Sequence, residues 1–254
     1  MISNNNSIIT LSKNIIKNTK FYLTIISTLM SSYLIWLLLS DFNKGFHLTD
    51  ESYYLNLYSN PLFENLPFSY FHYIGSILFI IAQKNIIALR YIGYLIFFFS
   101  VILFCYALFK SQFIPKKGGL VNYLLILISI ISINNYYGIY LFTPSYNLFN
   151  ISLILIVTSL SFLRFYYLKN DNLILNFTFT ATFFLLIINK FSSAILIFIF
   201  LFIFFYKNIS KKFVIHCFIS GLLISFAFLY LEYEKISLLI NYLFFDENYK
   251  IIKH

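Results

Sequence analysis

The chain has 254 residues, 60% of them hydrophobic, 22% aromatic and only 11% charged. Soluble domains are roughly 45–50% apolar, and no water-soluble arrangement hides this much apolar surface behind so few charges. The net charge of +9 does not describe a nucleic-acid binder. Its lysines punctuate the ends of apolar runs, as membrane orientation signals do, and do not gather on one polar helix or tail. Cys105 and Cys217 both sit inside apolar runs, so neither a disulfide framework nor a metal site is indicated.

A polar segment, residues 1–20, carries Lys13, Lys17 and Lys20. The apolar run Phe21–Ser40 follows. It has the ~20 residues a spanning helix needs, is too long for a signal h-region, and meets no small-x-small cleavage site, so it reads as an uncleaved anchor. Seven more apolar runs come after it: Phe68–Ala82, Tyr91–Phe109, Leu120–Tyr136, Leu148–Tyr167, Leu173–Asn189, Ser192–Tyr206 and Phe213–Leu231.

Charge decides which of these cross. If every run spans and the N-terminus is inside, Lys110, Lys116, Lys117, Arg164, Lys169, Lys207, Lys211 and Lys212 all fall outside, and the basic residues show no inside bias. If Phe68–Ala82 instead lies along the membrane, those residues move inside with Lys13, Lys17 and Lys20, as the positive-inside rule requires. Asp41, Asp50, Glu51, Glu64, Glu232, Glu234, Asp246 and Glu247 then lie outside, and only Asp171 is inside. Length agrees, because a 15-residue helix rises about 23 Å against a hydrocarbon core of ~30 Å.

The expected fold is therefore an all-α integral membrane protein with about seven transmembrane helices. Residues 21–231 form one transmembrane domain. Its long first outer loop, 41–90, holds short membrane-lying helices, and residues 232–254 form an outer-face tail. Ile236, Leu239, Ile240 and Leu243 give that tail one apolar face. No soluble domain, internal repeat or glycine-rich phosphate loop is visible.

The first outer loop carries the most chemistry, in Phe46-His47-Leu48-Thr49-Asp50-Glu51-Ser52-Tyr53-Tyr54. Long loops in compact proteins are functional or disordered, and this one is too aromatic for disorder. Adjacent carboxylates on a helix point about 100° apart, so Asp50 and Glu51 cannot share a face. One is free to face a site while the other pairs with a cation or caps the helix. A helix beginning near Thr49 sets Asp50 with Tyr53, Tyr54 and Leu57, a wall suited to a sugar or lipid headgroup. The same acidic first turn is also what an ordinary helix start uses.

Arg90 and Lys190 are outer-face cations beside apolar runs, suited to an anionic headgroup. Either also serves as an interfacial anchor. His47 and His72 share the first outer loop and could orient a carboxylate; a lone histidine is more often a hydrogen-bonding interface residue. His216 and Cys217 are adjacent, point different ways and make no metal site. In the second outer turn, Thr143-Pro144-Ser145-Tyr146-Asn147, Tyr146 and Asn147 can reach the outer face, while Ser145 or Asn147 can also simply cap the next run.

The order of these features resembles the multi-span glycosyltransferases of the GT-C type, closest to the protein O-mannosyltransferase and aminoarabinose-transferase group. The stretches that carry the resemblance are His47-Leu48-Thr49-Asp50-Glu51, Pro67 to Ala82, Ala88-Leu89-Arg90-Tyr91 and, more loosely, Asn189-Lys190-Phe191-Ser192. It covers roughly Thr49 to Tyr206, and each motif is short. It implies a GT-C-like core with a catalytic Asp50 in the first outer loop, an outer-face Arg90 and Lys190, and sugar donated from a polyprenyl-phosphate carrier. The chain departs from the group in three ways. It has Leu66-Pro67-Phe68 where paired prolines are usual, Tyr146-Asn147 where an aspartate is common, and it is shorter.

The expected function is transfer of a sugar from a polyprenyl-phosphate-sugar to an acceptor hydroxyl, inverting, with Asp50 as general base. Glu51 accompanies it, and Arg90, Lys190, His47, Tyr54, Tyr146 and Asn147 bind substrate. No cofactor, metal or nucleic acid is expected; membrane lipid is. The expected location is the bacterial inner (plasma) membrane, with the active face outward. The alternative is a truncated, non-catalytic GT-C-like protein that binds polyprenyl lipid or a partner membrane subunit. A small transporter ranks last, because no charged residue stands central in a span.

Overall fold

A computed structural model describes residues 3–42, 50–60, 70–111, 127–133, 136, 142–168 and 172–231. These residues form helices joined by short turns, with no strand among them. In chain order the helices are α1 Ser3–Asp41, α2 Asp50–Ser59, α3 Phe71–Ile81, α4 Ile86–Lys110, α5 Tyr146–Phe162, α6 Leu173–Asn189, α7 Phe191–Phe205 and α8 Lys211–Leu231. A π-helical turn, Leu163–Leu168, prolongs α5, and a 3-10 turn, Tyr206–Asn208, links α7 to α8. Residues 127–133, within the expected Leu120–Tyr136 run, are also helical. The expected tail, 232–254, lies outside the described residues.

Among the described residues, five segments are long and apolar enough to cross a bilayer: Thr24–Asp41, Ile86–Lys110, Tyr146–Phe165, Phe191–Asn208 and Lys211–Phe228. The chain is an all-helical membrane protein. Helix α6 has 17 residues and rises about 26 Å, close to the hydrocarbon thickness; α3, with 11 residues, rises about 17 Å and is too short to cross.

Two apolar clusters fix how the helices run. One, at the end we call the head, gathers Phe42, Tyr54, Tyr58, Phe71, Leu89 and Leu148. The other, at the base, gathers Ala107, Val157, Phe165, Phe205 and Phe213. Helices α4 and α5 each start at the head and end at the base, so they run parallel, and the chain between them has to travel back. Helix α6 returns to the head, where the Tyr70 N–H donates to the Ile188 carbonyl at 2.9 Å. Helix α7 descends to Phe205, and α8 rises from Phe213 until Phe228 meets Tyr70, ring centroids 5.2 Å apart.

Two helix starts lie well ahead of the sequence reading. Helix α1 starts at Ser3, so the lysine-bearing segment 3–20 continues the first span as one helix. Helix α4 starts at Ile86 rather than Tyr91, because the Asn85 side chain caps it, accepting from the Ile87 and Ala88 N–H groups. Arg90 is thereby a helical residue in the second turn and not the last residue of a loop. The preceding reversal uses Gln83 and Lys84 at φ 53° and 59°, a left-handed corner of the kind that ends helices.

Candidate functional site

The head is built around α2. Its first residue, Asp50, is exposed, and its second, Glu51, is 1% exposed. The helix buries Glu51, Tyr54, Leu57 and Tyr58 on one side, and the 100° step between neighbours leaves Asp50 on the open side.

Glu51 is locked. Its Oε2 lies 3.0 Å from Arg90 Nη2, and both side chains are almost wholly buried. Its Oε1 accepts from the Thr143 N–H at 2.9 Å and from the Thr143 hydroxyl at 2.7 Å. Arg90 Nη1 donates to the Phe42 carbonyl at 2.6 Å, at the end of α1, and the guanidinium lies 5.6 Å from the Phe142 ring centroid. One charge pair thus ties α1, α2, α4 and the turn before α5 together. Charges so buried persist only when paired and hydrogen-bonded.

Close packing tightens the same joint. The Tyr58 hydroxyl donates to the Pro144 carbonyl. Gly75 lies against the Tyr58 ring and Gly93 against the Pro144 ring, each with no room for a Cβ.

The rest of the head is aromatic. Tyr54 packs edge-on to Phe71 at 5.7 Å, and Phe71 meets Tyr146 at 5.8 Å. Lys190 Nζ sits 5.2 Å from the Tyr146 ring centroid, and the Asn189 amide donates to the Tyr146 carbonyl at 3.3 Å. Lys190 holds this place because it is the single extended residue, φ −154°, between α6 and α7. Burial raises the Tyr54 phenol above its ordinary pKa of 10.0, with Tyr146 and Asp50 adding to the shift. Burial does the same to Tyr58. Both phenols therefore stay protonated donors at neutral pH.

The structure brings Asp50, Glu51, Tyr54, Arg90, Tyr146 and Lys190 to one end of the bundle. Asn147 is half-buried one residue into α5. His72 is buried, with its ring against that of Tyr73, centroids 4.5 Å apart. His47 lies outside the described residues. The sequence reading missed Thr143, Phe142, Tyr58 and the Phe42 carbonyl. Only Thr143 carried a signal, as the residue before a proline-led turn, where extended backbone turns an N–H toward neighbouring chain.

At the base, Arg164, on the π-helical turn, donates from Nε to Asn176 Oδ1 at 3.1 Å, and Asn176 Nδ2 lies 3.2 Å from His216 Nδ1. Arg164 is 5% exposed, so it is a buried residue at the same end of the bundle as Lys110 and Lys207. No three His, Cys, Asp or Glu side chains converge on a metal position among the described residues.

Compared with protein families, curated proteins and solved structures, the chain finds no match.

Proposed function

We propose that the chain is a seven-span membrane glycosyltransferase of the GT-C kind, moving a sugar from a polyprenyl-phosphate donor to an acceptor hydroxyl at the outward-facing head. The observation that carries this reading is the division of labour between the adjacent carboxylates. Glu51 is sealed into a charge pair, while Asp50, on the same helix, is exposed and near enough to Tyr54 to add to the upward shift of its phenol, as does Tyr146, the ring beneath Lys190. The seven spans are the five long segments, α6 and the run containing residues 127–133.

In this reaction the acceptor oxygen attacks the anomeric carbon and its proton passes to the Asp50 carboxylate. The anomeric C–O bond breaks on the opposite face, its electron pair leaves with the polyprenyl phosphate, and the centre inverts. General-base assistance of this type contributes ~10²–10⁴-fold. In this reading Lys190, which lies over the Tyr146 ring, meets the charge that departs with the phosphate. Arg90 acts through Glu51, as a positioning residue. An apolar groove of about 390 Å³ runs along α4 past Ile92, Leu95, Ile96, Phe99 and Leu103 to Ile156 of α5. It starts two residues beyond Arg90 and suits a lipid tail.

A second reading is a non-catalytic protein that binds polyprenyl lipid or a partner subunit. The engagement of Arg90 by Glu51 favours it, because that guanidinium is not open to a phosphate. Reconstitution with polyprenyl-phosphate-linked sugars separates the two. Turnover, measured as release of polyprenyl phosphate, should occur with the native chain and vanish in Asp50→Asn at unchanged protein level. Donor binding without turnover in both would leave the second reading standing, and full turnover by Asp50→Asn would end the first.

A further inference from the structure

We propose that the base of the bundle is a docking surface for the phosphodiester headgroups of anionic phospholipids, centred on the connection between α7 and α8. Lys207, Lys211 and Lys212 are all exposed there, within six residues of chain. Lys110, exposed at the end of α4, is at the same level. The neighbouring residues Ala107, Phe205 and Phe213 fix that level, because all three are buried in the base cluster. The described carboxylates, Asp41, Asp50 and Glu51, all belong to the head, so no described acid offsets these lysines.

The depth of the patch selects a lipid partner. Phe202, Phe204, Val214, Ile215 and Phe218, within two turns of the lysines, are exposed apolar side chains on helices long enough to span. The lysines therefore stand where hydrocarbon gives way to headgroups. Lys110 Nζ lies 5.6 Å from the Tyr106 ring centroid and Lys207 Nζ 5.6 Å from that of Tyr206, with both rings exposed. Tyrosine belongs at that boundary, its ring in the apolar side and its hydroxyl in the wet side. A nucleic acid or acidic protein would have to approach through the headgroup layer.

Such lysines also orient a chain during insertion. The proposal is that they bind lipid in the folded protein, and the two roles separate experimentally. The full chain, purified in mild detergent and stripped of lipid, is titrated with phosphatidylglycerol or phosphatidylcholine while its thermal unfolding is followed. Phosphatidylglycerol should raise the midpoint and phosphatidylcholine should not. Lys207→Gln/Lys211→Gln/Lys212→Gln should lose most of the rise, with headgroup affinity falling about fivefold per lysine. The triple Lys→Arg variant should keep the rise, and so should Lys84→Gln at the head. Equal gains from both lipids, or an undiminished gain in the triple Gln variant, would overturn the proposal. If the triple Gln variant does not fold, Lys211→Gln and a salt titration of the native chain decide. A lipid gain that survives ~1 M salt, where the screening length is ~3 Å, overturns it, and a gain that fades there and weakens in Lys211→Gln supports it.

Discussion

Glu51→Gln tests whether the joint at the head is a charge pair or a set of independent contacts. Glutamine keeps the shape and can still accept from Thr143. It also turns an amide toward Arg90 Nη2 in place of the oxygen now 3.0 Å away. A guanidinium only 2% exposed then loses the carboxylate it is paired with, which costs about 3–5 kcal/mol. Arg90→Met strands the carboxylate instead and costs a similar amount. Were the two residues independent, the double variant would lose the sum, about 6–10 kcal/mol. In a pair, the second substitution has no partner left to strand, so the double variant should cost about what either single does. Equilibrium unfolding in mixed micelles, followed by far-UV circular dichroism, gives all four corners of the cycle. Asp50→Asn is the control: it alters an exposed side chain and should change stability by no more than ~0.5 kcal/mol. Additivity within ~0.5 kcal/mol, or native stability in either single variant, would refute a buried pair.

Stability should also fall as pH rises past 10.0, the ordinary phenol value. The unfolded chain then loses its Tyr54 and Tyr58 protons while the folded chain holds them, so the folded state binds more protons and loses ground with each step up. Tyr54→Phe/Tyr58→Phe should flatten that slope, and an unchanged slope in chemical unfolding at alkaline pH would contradict the assignment. Gly75→Ala drives a methyl group into the Tyr58 ring, and Gly93→Ala drives one into Pro144. Each should cost about 1–3 kcal/mol as overpacking, visible as a lower unfolding midpoint, whereas Gly221→Ala meets only Thr180 Cγ2 at 3.7 Å and should not.

Much of the fold was legible because a bilayer leaves few choices. Each crossing segment must satisfy its own backbone groups, so the long apolar runs could only be helices, and their lysines marked the base. Boundaries were harder. Asn85 reads as one more polar loop residue until its side chain is seen to accept two N–H groups, which moves the helix start five residues ahead of Tyr91. The site was legible in part. Spacing showed that Asp50 and Glu51 must diverge, and the head does gather Tyr54, Tyr146 and Lys190. It could not show which carboxylate turns inward, because that depends on where Arg90 and Thr143 arrive from other parts of the chain. Arg164 was grouped with Lys110 and Lys207 on one side of the membrane, and the base does gather them, but its burial beside Asn176 depends on how α6 packs and was not legible in the run itself.

The inward turn of Glu51 has a consequence for Asp50. The general base proposed at Asp50 stands in an exposed first turn, which is ordinarily a poor place for one, since helix ends fray and a small misplacement of a reacting group is costly in rate. Here the next residue is fastened to α4 by Arg90 and to the turn before α5 by Thr143, and the far end of α2 is fastened through Tyr58 to Pro144. The helix is held at both ends by buried bonds. Asp50 stays exposed, but its backbone position is set by α4 and by the turn before α5. Loosening Glu51 should therefore reduce turnover by displacing Asp50, and a variant that restores the pair by another route should recover it. Glu51→Asp, one methylene shorter, is the mildest such perturbation. It preserves the charge and strains the reach to Arg90, so its loss of turnover should be partial and should track its loss of stability, whereas Asp50→Asn should lose turnover with stability intact.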